Sequence, residues 1–487
     1  MPRDLIAEIK TIVASKQEQI QEFVAQRGLL RTPHQTLEAE QGLAEIGRQL
    51  ADELMEMLLL ASLEKPPQDP ASSRPKPPQT GGRQTRSMGQ RTVTLRLLGG
   101  RQVQVRTQYR VPVRPKRPGR HRGVGRRGKG GVGHYPHLVL LGILCGATPA
   151  LLSEVSRQSA ESSSYQVALQ NLSRRGLNLG EKTLVSMTQG FGRLALHLRQ
   201  AQMLVPPEPG PSPLRGQRVA VSVDGGRLRI REPRTRGRRR TQTRHRGFCA
   251  PWREPKLLVI YTLDDKGHKQ RHSLSLYDAT LGDADVLFSL LVGYLRLVGA
   301  SQADQLVLLG DGARWIWDRV DELVSELGID TERFIAIVDF YHAVEHLRDV
   351  TELLPGWSAH RRRSFIRHYK RVLKHGDVQE VVAAIDELCV GRNATALTTE
   401  RDYFARNAQR MRYKDFSEAG LPIGSGAVES AIRQVVNLRL KSNGMFWLHC
   451  RAEHILHLRA FLRAGRWDSL VEMTLQYQAT LCIGSAA

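Results

Sequence analysis

A chain of 487 residues with 72 Lys and Arg against 48 Asp and Glu carries a formal net charge of +24. That length suffices for about two or three domains, and the charge favours a polyanionic partner, because each neutralised phosphate releases counterions. Five scattered cysteines (Cys145, Cys249, Cys389, Cys450 and Cys482), with no CxxC pair, exclude a disulfide framework and suit a reducing cytosol.

The N-terminus, MPRDLIAEIKTIV, alternates charge with apolar residues and lacks the continuous apolar core of a signal peptide. Helical periodicity over 3–31 and 36–63 places Leu5, Ile9, Ile12 and Val13 on one stripe, and Leu43, Ile46, Leu50, Leu54 and Leu58 on another. Residues 1–63 therefore read as a helical hairpin whose apolar face needs a partner, either a second copy or the rest of the chain. Residues 64–90, rich in Pro, Gly, Ser and Gln, read as a flexible linker. In 91–135, RTVTLRLL and RQVQVRTQYRV alternate on either side of Gly-Gly, predicting a β-hairpin, and a basic glycine-rich tract follows. That tract offers Arg117, Arg120, Arg126 and Arg127 to phosphates, although a solvated loop has the same composition.

Residues 136–205 read as helices broken at glycine-containing turns, a pattern compatible with a helix-turn-helix and equally with ordinary helical packing. The apolar run HLVLLGILCGATPALL is shorter than the roughly 20 residues a bilayer requires. No membrane span is expected, and the charge points to a cytoplasmic, nucleoid-associated protein. Beyond the proline-rich segment VPPEPGPSP, residues 216–341 predict strands at 218–230, 256–263 and 272–278. A helix at 284–299, a strand at 305–310, a helix at 314–327 and a strand at 333–340 follow. A three-stranded meander followed by helix–strand–helix–strand describes a ribonuclease-H-like α/β layer. Residues 342–420 read as an all-α insertion, and 421–487 as a catalytic-helix segment with C-terminal helices. The expected fold class is thus multidomain α/β, a ribonuclease-H-like core preceded by helical regions.

Three carboxylates stand where such a sheet would hold metal ions. Asp224 lies in RVAVSVDGGRLRI, Asp311 closes QLVLLGDGA, and Glu429 opens a helix after PIGSGAVES. Hard divalent ions take oxygen ligands, and two of them can activate a nucleophile and stabilise a leaving oxygen in phosphodiester transfer. In this topology the first and fourth strands are neighbours, which would bring Asp224 and Asp311 together with Glu429 across them. Singly, each is an ordinary turn or surface acid; the three in this order point to catalysis with two Mg²⁺ or Mn²⁺ ions. Arg433, one turn beyond Glu429, could reach that carboxylate or a phosphate.

Asp339 and His342, in IVDFYHAVEHL, read as a helix-capping turn or as a pair that positions DNA or the metal-bearing residues. Asp278 also ends a strand and is the closest impostor for a ligand. Arg236, Arg238, Arg239 and Arg240, in the arginine-dense loop 231–247, together with Trp252 just beyond it, are candidate DNA contacts without base specificity. Cys450, His454 and His457 share a helical face and could ligate zinc, but a packed amphipathic helix is the preferred reading.

The segments VDGGRLRIREPR, APWREPKLLVIYTLD, LLGDGARWIWDRV, IVDFYHAVEHL, GSGAVESAIRQVVNLRLK, NGMFW and AEHILHLRAFLRAGRWD span about 218–468. There the chain resembles bacterial insertion-sequence transposases of the ISKra group, DDE enzymes similar to the Mutator-like elements of eukaryotes. The resemblance implies that the acidic triad falls on Asp224, Asp311 and Glu429, and the D-x-x-H element on Asp339 and His342. It further implies Mg²⁺- or Mn²⁺-dependent cleavage and transfer of double-stranded DNA at terminal repeats, with a homo-oligomer holding element ends and target in synapsis. Relatives often carry a cysteine-pair knuckle where this chain has RPKRPGRHRGVGRRGKGG, which implies either that end binding shifts to the basic arm or that the copy is degenerate, although the catalytic residues are present. Two alternatives stay open: a nuclease of the same fold that cuts without joining, and a non-catalytic, domesticated DNA-binding protein.

Overall fold

Two long amphipathic helices open the chain because Asp4 and Pro33 start them and Gly28 ends the first. Asp4 accepts the Ile6 and Ala7 amides at 3.1 and 3.2 Å, capping α1 (Leu5–Arg27). After a five-residue turn, α2 (Pro33–Glu64) packs back on it. The computed structural model describes residues 4–64, 85–112, 133–204, 212–234, 247–271, 273–390 and 395–485. The chain divides into two units, 1–198 with 467–487, and 199–466.

In the first unit, α1 meets α2 through Phe23, whose ring fills the space over Gly42, and through the buried Lys16, which bonds Gln49 and Glu53. The expected stripe is corrected here. Ile9 and Val13 are exposed, together with Ile6, Ile20 and Val24, because the contact face runs through Leu5, Ile12, Lys16 and Phe23 instead. On α2, Ile46 is buried while Leu43 and Leu58 face outward. Strands β1 (Thr85–Arg96) and β2 (Gln102–Pro112) pair antiparallel, Val93 with Val105 and Leu95 with Val103. Their inner residues form a core with Leu59, Leu138 and Ile143. Asp52 grips the hairpin turn, accepting the Gly99 and Arg101 amides at 2.9 Å each.

Residues 85–90, expected in the linker, belong to β1: Ser87 and Gln90 pair with Arg110 and Gln108 across a bulge. The rest of that linker and the basic tract with Arg117, Arg120, Arg126 and Arg127 lie outside the described residues. Helices α3 (Pro136–Leu140), α4 (Pro149–Glu161), α5 (Tyr165–Ser173) and α6 (Glu181–Met203) follow. The final helix, α18 (Trp467–Ser485), belongs to this unit rather than with the segment 421–466 expected to share its domain. Trp467 is the reason: its indole N–H donates to Ser153 Oγ at 3.0 Å and its ring packs on Phe191.

The second unit is built on β3 (Arg218–Gly225), which expels a small antiparallel ribbon from the sheet. The ribbon pairs β4 (Leu228–Arg229) with β7 (Trp252–Arg253), and β5 (Glu232–Pro233) with β6 (Phe248–Cys249). The chain returns as β8 (Lys256–Leu263) and β9 (Ser275–Thr280), both antiparallel, completing the meander. Helix α7 (Ala284–Leu297) crosses to β10 (Gln305–Gly310). Helices α8 (Arg314–Trp317) and α9 (Val320–Leu327) then lead to β11 (Phe334–Val338). The sheet order is β11-β10-β3-β8-β9, with β10 parallel to both β3 and β11. Its strands read as continuous apolar runs because both faces are buried, as at Val219–Val223 and Leu306–Leu309.

Helices α10 (Phe340–Glu352), α11 (Ala359–His375), α12 (Val378–Cys389), α13 (Thr395–Asn407) and α14 (Tyr413–Glu418) follow the last strand. Next come α15 (Gly426–Ala431), a π-helical stretch at Ile432–Asn437, α16 (Leu438–Leu440) and α17 (His449–Arg463). Arg459 of α17 donates to the carbonyls of Gln434 and Val435, groups that the wider π turn frees from the usual ladder. The protein is therefore a multidomain mixed α/β chain. Among its described residues no helix is long and apolar enough to cross a membrane.

Helix α17 lies along β9 and explains Asp278, Cys450, His454 and His457. Asp278 is fully buried. One of its oxygens takes Arg199 and the Tyr294 hydroxyl at 2.9 Å each; the other takes the Ala279 amide at 2.8 Å and faces His457 Nδ1 at 3.0 Å. Although burial opposes its charge, Arg199 and His457 hold its carboxyl well below the usual range. Asp278 is thus a structural ion, and His457 is its partner. Cys450 is exposed, whereas His454 and His457 are buried, so the three form no closed zinc set. Replacing Asp278 by Ala strands the Arg199 guanidinium and should destabilise the fold by about 3–5 kcal/mol. Urea unfolding of the two proteins checks this; a loss below about 1 kcal/mol would contradict it.

Candidate active site

Parallel pairing of β3 with β10 sets the site. Leu309 lies opposite Ser222, and Asp224 and Asp311 each stand two residues beyond that pair. Strand ends of an open α/β sheet leave side chains free of the ladder, which is where such sheets place ligands. Asp311 is fixed by its own turn. The Ala313 amide donates to its Oδ1 at 3.0 Å, and the Trp317 indole donates to its carbonyl at 2.9 Å.

Asp339, at the end of β11, links these strands to the last carboxylate. Its amide donates to the Gly310 carbonyl at 2.9 Å, beside Asp311. One oxygen caps α10 through the His342 amide at 2.7 Å, and the other accepts the Ser425 amide. Ser425 in turn precedes α15, its carbonyl accepting the Glu429 amide at 3.1 Å and its hydroxyl facing Glu429 Oε1 at 3.3 Å. Glu429 stands exposed in the first turn of α15, which packs across β3 and β8. The capping alternative for Asp339 is what the structure shows, and the same carboxylate also ties the Ser425 turn to the end of β11.

Asp224 records the resulting electrostatics. Burial pushes its carboxyl up to about 7. The Gly225 amide, donating at 2.6 Å, opposes the rise, and Asp311, Glu429 and Glu254 reinforce it. No ion pair involving Asp224 occurs among the described residues. Glu254 is the member that sequence reasoning missed. It reaches the site because Gly225 lacks a side chain: a Cβ there would overlap the Glu254 carboxylate. The only signal was antiparallel register, since Gly225 pairs with Lys256 two residues away.

The remaining candidates are distributed around this centre. His342 directs Nδ1 toward Glu345 at 3.3 Å and lies edge-on to His346. Arg433 is exposed and makes no ion pair with Glu429, because the π-helical stretch begins between them and rotates the register. Trp252 is exposed on the ribbon, with the Arg229 guanidinium 6.0 Å from its ring. Arg236, Arg238, Arg239 and Arg240 lie outside the described residues. Only one His/Asp/Glu group among the described residues draws its ligand atoms within 4.8 Å of one another: His346, Asp349 and Glu400.

Asp224, Asp311 and Glu429 are more widely spread than that group. Two ions that share a phosphoryl displacement stand roughly 4 Å apart, so their ligands need not meet at one point. The donor set is all oxygen, the choice of hard Mg²⁺ or Mn²⁺, and the like charge gathered on Asp224 is what a cation would neutralise.

The raised Asp224 carboxyl carries a pH signature. Its folded-state pKa of about 7 exceeds the 3.8 of an ordinary aspartate, so the metal-free fold holds this proton more tightly than the unfolded chain. Its ionisation therefore costs stability as pH rises from about 4 to about 7. In chelator, Asp224→Asn should stabilise the protein at pH 8 by on the order of 2 kcal/mol after solvent screening. The gain should shrink as pH falls toward 4; thermal unfolding across that range measures it, and a pH-independent difference would contradict it. The sequence matches no protein-family model and no curated protein, and the site's own geometry carries the functional reading.

Proposed function

We propose that this chain is a DDE-type transposase, a metal-dependent enzyme that cuts and joins double-stranded DNA at the ends of an insertion sequence. The observation that carries the reading is the convergence of Asp311, Glu429 and Glu254 on a half-buried Asp224. Supporting it is the sheet, a three-stranded antiparallel meander extended by two parallel strands, the order of a ribonuclease-H-like layer. Asp224, Asp311 and Glu429 would hold two Mg²⁺ or Mn²⁺ ions. When bound, such ions make water or a 3′-hydroxyl nucleophilic and stabilise the departing oxygen.

The protein's own contribution is placement. Asp224 and Asp311 leave adjacent strands at the same level, and Asp339 keeps the Glu429 turn against them. Asp224 must shed its proton before it can serve as a ligand, so metal affinity should rise with pH toward about 7. The ribbon bearing Arg229, Arg231 and Trp252 extends from β3 just past Asp224, offering charge and an exposed aromatic face to a DNA backbone. Net charge of +24 suits nucleoid DNA as the partner, and joining requires two ends, hence a homo-oligomer in synapsis.

The test uses the full-length protein with labelled duplex carrying the DNA that flanks its gene, in Mg²⁺ or Mn²⁺. Wild type should nick the duplex and yield joined product. Glu429→Gln and Asp311→Asn should bind equally well but lose cleavage by about 100-fold or more. Undiminished cleavage by Asp311→Asn would sink its assignment. Cutting without joining would make the protein a nuclease, and tight binding without chemistry in either metal a non-catalytic DNA-binding protein.

A further inference from the structure

Tyr403 brings the helical insertion into the carboxylate site. It lies on α13, and a Cβ on Gly312 would overlap the hydroxyl-bearing edge of its ring, so the residue after Asp311 must be glycine for the ring to fit. His346 stacks on the ring at 3.6 Å between centroids with 23° between planes, and Glu400, one turn before Tyr403, holds His346 Nδ1 at 2.6 Å. The side chain is thereby fixed. Yet Tyr403 is only 5% exposed, and its hydroxyl has no hydrogen-bond partner among the described residues. An orphaned buried hydroxyl costs about 1–3 kcal/mol, and in a native fold it points to a partner supplied by something bound.

The chemistry of that partner follows from the surroundings. Burial raises the phenol strongly, and Asp311 heads the carboxylates that raise it further, followed by Asp339, Glu400 and Glu345. Tyr403 therefore stays protonated and can donate. Asp224, Asp311, Glu429 and Glu254, once ionised, only accept. A phosphodiester's non-bridging oxygens also only accept, so DNA bound among these acids needs a donor in addition to cations.

We propose that the Tyr403 hydroxyl donates a hydrogen bond to a non-bridging oxygen of the scissile phosphodiester beside Asp311, making Tyr403 a catalytic residue of the transfer reaction. This inference rests on the transposase reading. No covalent bond forms at Tyr403; its proton stays on the phenol, and the contact stabilises charge that develops on the phosphoryl oxygen.

Tyr403→Phe is the test, in the full-length protein, with duplex carrying the gene's flanking DNA and Mn²⁺. Single-turnover cleavage should fall about 100-fold. Duplex affinity should hold, and the thermal midpoint should hold or rise, because the hydroxyl loses no bond within the protein and its burial cost is removed. A non-bridging phosphorothioate at the scissile position should slow wild type more than Tyr403→Phe, since sulfur accepts hydrogen bonds poorly. Cleavage at the wild-type rate by Tyr403→Phe would overturn the role of Tyr403 and leave the transposase reading standing. A slower variant with a depressed thermal midpoint, or with an undiminished thio effect, would make the tyrosine structural. Wild type that binds duplex but never cleaves it would overturn the transposase reading and this inference together.

Discussion

The candidate site depends on one buried carboxylate that is not itself among the candidate metal ligands. Asp339 spends one oxygen on the first turn of α10 and the other on the Ser425 amide, while its own amide holds the end of β10. Three elements spread between residues 310 and 425 are thereby clamped at one point. Asp311 lies one residue past the clamped carbonyl and Glu429 four residues past the clamped amide. A carboxylate with both oxygens committed to backbone N–H groups has no freedom left, which is what a positioning residue requires.

Two aspartates of the same sheet show how environment divides structure from chemistry. Asp278 is enclosed by Arg199, His457 and Tyr294, each bond satisfying an oxygen, and its charge is neutralised within the protein. Asp224 is half-buried among Asp311, Glu429 and Glu254, with a single amide in its favour. The first arrangement stabilises a fold. The second sets like charges against one another with no ion pair to Asp224 among the described residues, and carboxylates perturbed in this way cluster at functional sites. Sequence position gave both residues the same appearance, an acid at the end of an apolar strand.

Much of the second unit was legible because its signals are local. Continuous apolar runs bounded by Asp-Gly and Asp-Asp pairs marked β3, β8 and β10, and the structure places them at 218–225, 256–263 and 305–310. Their adjacency followed from the order of elements. The helical hairpin was less legible: periodicity gave the helices, but it could not choose between neighbouring stripes, and Ile9 and Val13 proved exposed. Nor could it assign α18, whose membership in the first unit rests on Trp467 meeting Ser153 and Phe191 far away in sequence.

By itself the sequence determined the strands, the two aspartates at their ends, the glutamate that opens a helix, the overall charge and the glycines beside the aspartates. These depend on residue type and short spacing, where alternation, turn chemistry and burial act within a few residues. Tertiary structure alone decided which acids are alike in charge state and which are not. It set Glu254 beside Asp224, gave Asp278 to Arg199 and His457, and seated Tyr403 over Gly312. The reason is physical. A carboxyl's pKa and a hydroxyl's unmet bond are fixed by burial and by groups a few ångströms away, and those neighbours arrive from strands and helices that sequence separation does not rank.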